Sequence, residues 1–230
     1  MLGPLVILFV ILINNAEFSN KFALHNSPAT AFWNSFSRIS PRLHTRSITI
    51  MLWVVLIFAL AVLAFVMKSF LGKWGDLLFS TLILLICLNE EYEVNKEPLL
   101  NEVHSNTFTP LFWFAVLGPI GCGVYYITHN LRHISNLEYK FYTTIISWLR
   151  LIPAFLTGTI YGLVGEFDPA FYRLKRFLSV KETRANVIVL ECGSAALGDV
   201  GKVDEIDLVQ RAKLIWTLLA IFFSMIYWNL

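Results

Sequence analysis

Apolar residues in this chain come in long blocks rather than at the spaced positions of a soluble helix or strand. Six blocks stand out, at residues 2–13, 48–67, 77–88, 110–127, 142–165 and 214–228. The second, ITIMLWVVLIFALAVLAFVM, carries no charge and has the length that crosses a hydrocarbon core about 30 Å thick. The third, LLFSTLILLICL, is shorter and lies between the polar flanks GKWGD and NEEYE, which predicts a re-entrant segment or a short tilted span. Gly72 and Gly75 predict a tight turn over 68–76, so the second and third blocks should form an antiparallel helical hairpin. The first block has no lysine or arginine before Lys21, so it reads as a short membrane helix or half-span rather than a cleaved leader.

The fourth block sits in FTPLFWFAVLGPIGCGVYYI, residues 108–127, and has breakers at its middle. Pro119 has no N–H for the carbonyl of Ala115, and its ring crowds the preceding turn. Gly118 lowers the cost of a bend, and Gly121 and Gly123 expose backbone on its far side. Freed polar groups in lipid need partners from neighbouring helices, so this segment should be buried in a bundle and bent or unwound near 118–121. Its predicted partner is the fifth block, where Ala154, Gly158 and Gly162 recur every four residues and leave a flat face for close approach.

Together the blocks predict an all-α polytopic helical membrane protein with about five to six membrane segments and short loops. Residues 1–47 form an apolar segment and a basic linker, 48–165 a membrane core, 166–213 a cytoplasmic amphipathic region, and 214–230 a last membrane helix. Composition agrees with that class: 57% of residues are hydrophobic, 15% are charged, and mean hydropathy is +0.64. A net charge of +2 without a long basic run excludes a nucleic-acid partner and leaves the lipid bilayer as the first partner. If every block crosses, lysines and arginines divide 13 to 4 across the membrane, which puts the loop 166–213 in the cytoplasm.

No nucleotide-binding glycine loop, CxxC or HExxH occurs, and the sequence implies no cofactor and no metal. His129 and His133 have helical metal spacing but no third ligand, His104 reads as a lone loop histidine, and Ser194 lacks a nucleophile turn. Cys87, Cys122 and Cys192 read as structural thiols. Glu166 and Asp168 follow the fifth block, and Asp168 before Pro169 reads as a helix N-cap. With Glu102 they would form a carboxylate site if brought together. The helix DPAFYRLKRFLSVKE should present Phe171, Leu174, Phe177 and Leu178 as one apolar arc beside Arg173, Lys175 and Arg176, and lie on lipid or dock on a partner. Arg150 is the one charge well inside an apolar block, so it should face the bundle, snorkel or pair.

The run PLFWFAVLGPIGCGVYY resembles the signature P-L-F-W-F-x-x-x-G-P-x-G of the AmpE / CobD–CbiB group of inner-membrane proteins. WLRLIPAFLTGTIYGLVGEFDPAF is similar to a second block of that group, and ECGSAALG to a third. The order and rough spacing match from about residue 45 to 230. The resemblance implies a bacterial inner-membrane location and one of two roles. One is non-catalytic modulation of a cell-wall-stress or β-lactamase signal through a membrane or cytoplasmic protein partner. The other is the amide-forming ligase of cobalamin synthesis, or an inactive descendant of it. Several departures favour the first role. Tyr125-Tyr126 stands where the ligases have Tyr-Arg, and Phe155 stands where they have an arginine. The ligases' N-terminal GDP motif is missing, and only Glu102 or Asn106 of NEVHSN corresponds to their polar run. An enzyme that holds phosphate groups loses bidentate partners with those arginines. Arg150 lies five residues before Phe155, about 140° away around a helix, and cannot replace the arginine expected there. The candidate ligand or signalling residues are therefore Glu102, Asn106, Arg150, Glu166 and Asp168.

Overall fold

The computed structural model describes residues 46–88, 98–134, 139–179, 184–198 and 205–229. The readings made for the first apolar block and the basic linker lie outside them. Every described element is helical: α1 (Arg46–Leu88), α2 (Leu99–Val103), a π-helical turn (His104–Phe108), α3 (Thr109–Ile134), α4 (Tyr139–Val164), α5 (Phe167–Ser179), α6 (Ala185–Leu197) and α7 (Glu205–Asn229). The protein is all-α, as its apolar blocks predict. Three of its helical stretches, Ile50–Leu88, Leu99–Leu131 and Tyr142–Val164, are long and apolar enough to cross a membrane. Their outward residues, among them Phe58, Phe65, Leu82, Trp148 and Leu163, are apolar and exposed, as lipid contact requires.

α1 doubles back at a single residue. Gly72 has φ 57° and ψ −133°, a backbone region open almost only to glycine. Leu60 abuts Gly123, while the Cys87 thiol donates to the carbonyl of Cys122 at 3.7 Å. Leu60 and Cys87 thus flank consecutive residues, although a straight helix would hold them about 40 Å apart. The two arms form the antiparallel hairpin that the glycines predict.

The chain doubles back a second time inside α3: the break falls at Gly118, within the predicted 118–121, and the structure corrects only the reading of a single span. Gly118 has φ 70° and ψ −161°. The Tyr125 hydroxyl donates to the carbonyl of Ser105 at 2.8 Å, across what would be about 30 Å of straight helix. Residues 108–127 are therefore not one bent span but the closed end of a hairpin whose first arm begins at Leu99. Leu99 and Ile134 lie at the same end of that hairpin, so the single crossing used to divide the charges does not hold for this segment.

Both apices are built alike. Each has glycines three residues apart, GKWG at 72–75 and GPIG at 118–121. A Cβ on Gly75 would collide with the Met67 carbonyl and come 2.9 Å from the Leu71 Cβ. A Cβ on Gly121 would meet the Trp113 carbonyl at 2.8 Å and the Leu117 Cβ at 2.5 Å. In both cases the second glycine lets the returning arm touch the carbonyl eight residues earlier. The apex arms share one apolar core of Phe79, Leu84, Cys87, Leu111, Phe114 and Cys122.

The second core sits under α5 and α6. Leu100, Phe108, Tyr161, Leu174, Ile188, Cys192, Leu208 and Trp216 are buried in it. The small-residue face of α4 packs here, which corrects its predicted partner. Gly158 faces Leu174 and Cys192, Gly162 faces Ala170 and Phe167, and Ala154 is fully buried in the same core. The face serves α5 and α6 instead of the 110–127 segment. ECGSAALG is helical through Leu197 within α6 and ends in the C-cap Gly198, with Gly193 against Leu100 and Tyr161.

Candidate functional site

Pro110 sits inside the continuous helical run from Leu99 to Leu117. A proline there removes one backbone donor and clashes with the carbonyl four residues back. The chain widens into the π-helical turn His104–Phe108 just before it. In this wider register the Thr109 N–H reaches the His104 carbonyl, and the Thr109 hydroxyl donates to it as well at 2.9 Å. The next carbonyl, that of Ser105, would be served by residue 110, which has no N–H. Tyr125 supplies the missing donor through its hydroxyl. The Arg150 Nε in turn donates to the Tyr125 oxygen at 3.2 Å. A guanidinium, a phenol and a backbone carbonyl therefore form one chain linking α4, the returning arm of α3 and the π-turn.

His104 occupies the other side of the turn. It is fully buried in helical structure, which corrects its reading as a loop histidine. The Thr157 hydroxyl gives its proton to the Pro153 carbonyl at 2.9 Å. The His104 Nδ1, 3.1 Å from the Thr157 oxygen, is then the donor in that contact. Its Nε2 lies 3.4 Å from the Thr109 hydroxyl oxygen. Half-buried His129 stacks on Tyr125 with ring centroids 5.8 Å apart.

A second proline defect is repaired in the same way. Pro153 lies inside α4 and leaves the Leu149 carbonyl without its helical donor. The Trp113 indole Nε1 donates to that carbonyl at 2.9 Å. Two proline-freed carbonyls, Ser105 and Leu149, are thus both met by aromatic donors from neighbouring arms, as a lipid-embedded bundle requires.

The predicted site residues are dispersed around this cluster. Arg150 is 3% exposed and belongs to it. Glu102 is buried two residues before the π-turn, and Asn106 is half-buried within the turn. The region around them is helical and packed rather than an open polar loop. Glu166 lies half-buried after α4, its carboxylate against Gly198 and its N–H on the Ala196 carbonyl. Asp168 is exposed in the first turn of α5, which starts at Phe167, so it complements the helix dipole instead of forming the N-cap. Phe155 packs against the α5–α6 core, away from the Arg150–Tyr125 bond. Among the described residues no three of His, Cys, Asp and Glu meet as a metal set.

The sequence reading missed Thr109, Tyr125, Thr157 and Trp113. A signal for them existed, since Pro110 and Pro153 each leave a carbonyl that a buried helix must satisfy. The cluster's imidazole, phenol and guanidinium each bond to a neighbouring element, which ties α4 to the π-turn. No family model, no curated protein and no solved structure matches this chain.

Proposed function

We propose that this chain is a regulatory protein of the bacterial inner membrane, of the AmpE type, that modulates a cell-wall-stress or β-lactamase signal without catalysing a reaction. The observation that carries this reading is the internal engagement of Arg150. Its guanidinium is buried and hydrogen-bonded to Tyr125, which itself holds the π-turn. The arginine is committed to joining α4 to the α3 hairpin rather than presented to a phosphate. The π-turn is held by Tyr125 and, through it, by Arg150 of α4, and such turns are frequent where helices serve function. The resemblance in PLFWFAVLGPIGCGVYY falls on the same unit.

The test is a pair of complementation assays in bacterial deletion strains, with insertion of each variant verified. In a strain lacking the cobalamin ligase, the wild-type chain should not restore cobalamin synthesis. In a strain lacking the AmpE-type regulator, wild type should restore the normal β-lactamase response to a cell-wall antibiotic, and Tyr125→Phe should not. Restoration of cobalamin synthesis by wild type, and its loss in Arg150→Ala, would establish the ligase alternative and refute the regulatory one.

A further inference from the structure

α5 has two faces with different partners. Ala170 and Leu174 are buried against the small-residue stripe of α4. The outer flank exposes Phe167, Phe171 and Leu178, with the two phenyl rings stacked at 5.2 Å. On a helical projection these three fall within about 40° of one another, so they form a ridge. Lys175 lies next to that ridge, and Tyr172 and Arg176 follow around the helix, all exposed. Arg173, on the opposite flank, is within 3.6 Å of Glu191 of α6.

Two observations identify what covers the ridge. The first is continuity: Phe167 packs beside Gly162, next to the exposed Leu163 of a helix with membrane-spanning character. The lipid-facing surface of α4 therefore runs on into the ridge of α5. The second is charge. α5 carries three basic residues and one acid, and its exposed Lys175 borders the apolar ridge, about 40–80° around the helix from it, where acyl chains would give way to headgroups, while Arg176 lies on the far side. An apolar ridge edged by a lysine, on a helix with an excess of basic residues, fits a bilayer boundary of negative charge.

We propose that α5 is a docking face for anionic phospholipid. Phe167, Phe171 and Leu178 enter the acyl boundary, while Lys175 holds a headgroup phosphate. This assignment rests on the membrane character of α4 and is independent of the regulatory reading above. Each basic side chain near an anionic surface adds roughly a fivefold preference for it.

The full chain carrying Leu178→Cys, on the ridge itself, with an environment-sensitive fluorophore is reconstituted into two kinds of vesicle. One is phosphatidylcholine alone; the other contains phosphatidylglycerol as well. The label should be shielded from aqueous iodide and quenched by lipid-borne nitroxide more strongly in the phosphatidylglycerol vesicles. Lys175→Gln should abolish that difference, Arg176→Gln on the far side should leave it, and 0.5 M salt should weaken it (about a 4 Å Debye length). Both charge substitutions are at exposed positions outside the packed face, and the unchanged melting temperature of each variant would verify its fold. Equal quenching in the two vesicle types, or a lipid preference unaffected by Lys175→Gln, would overturn the proposal. A label open to iodide in both would also overturn it.

Discussion

Replacing Gly118 by alanine separates two architectures by the sign of its effect. In a helix that is straight or gently bent, Gly→Ala stabilises by about 1 kcal/mol, because glycine loses more backbone freedom on ordering. At the hairpin apex the same change forces an L-residue to φ 70°, ψ −161°, a conformation that costs about 1–3 kcal/mol. The two outcomes thus differ by roughly 2–4 kcal/mol. Gly121→Ala adds an independent measure. Its Cβ would lie 2.5 Å from the Leu117 Cβ and 2.8 Å from the Trp113 carbonyl oxygen, and neither atom can rotate away. The arms would have to part by about 1 Å, with an overpacking cost of about 1–3 kcal/mol. Gly72→Ala is the internal control: nothing lies within 4 Å of its added Cβ, so it reports backbone strain alone. Thermal unfolding in mild detergent, followed by tryptophan fluorescence, ranks the three against wild type. A Gly118→Ala protein as stable as wild type, or more stable, would refute the fold-back of α3.

Three further outcomes follow from the described contacts. Trp113→Phe should destabilise by about 1–3 kcal/mol, the usual cost of a buried carbonyl left without a donor, and Pro153→Ala should recover part of the loss by restoring the helical N–H to Leu149; failure of Pro153→Ala to recover anything in a double-mutant unfolding cycle would dissociate the two residues. Gly158→Leu should unfold at lower temperature than Leu163→Ala, because the added side chain meets Leu174 and Cys192 at about 3 Å whereas Leu163 points outward at 61% exposure. Cys192 should resist maleimide at pH 8 in the folded protein: burial first, then the Glu191 carboxylate, pushes its thiol up to about 12, so the thiolate is scarce until the pH passes that value; rapid labelling at pH 8 would contradict its burial.

The first hairpin was legible because its turn looks like a turn. Lys68, Lys73 and Asp76 interrupt the apolar run around Gly72 and Gly75, so the polar gap and the glycines agree. The second apex has leucine, valine and isoleucine on either side of Gly118, and no polar gap marks the reversal. Length then favoured one span, although the three-residue glycine spacing was the same at both places. The buried cluster was half legible. Arg150 was readable as a bundle-facing charge, since one ionisable residue in an apolar block has few alternatives. His104 was misread because 99–106 is polar, and polarity there reflects bonds made inside the protein rather than exposure to water. The partner of the α4 stripe was not readable at all: small residues give closeness without identity, and Leu174 with Cys192 comes from 16 to 34 residues further along.

Pro153 also fixes the axial registry of α4. Along an uninterrupted helix every interior carbonyl is already occupied, and an indole on a neighbour finds no preferred height. Removing one N–H leaves Leu149 as the vacant acceptor on that turn, so Trp113 can dock at a single station. A slip of one turn, about 5.4 Å, would face the indole with an occupied carbonyl and return an orphan oxygen to the apolar interior. The proline thus works as an index mark: by forgoing one bond within its own helix, it sets where that helix stops sliding against its neighbour.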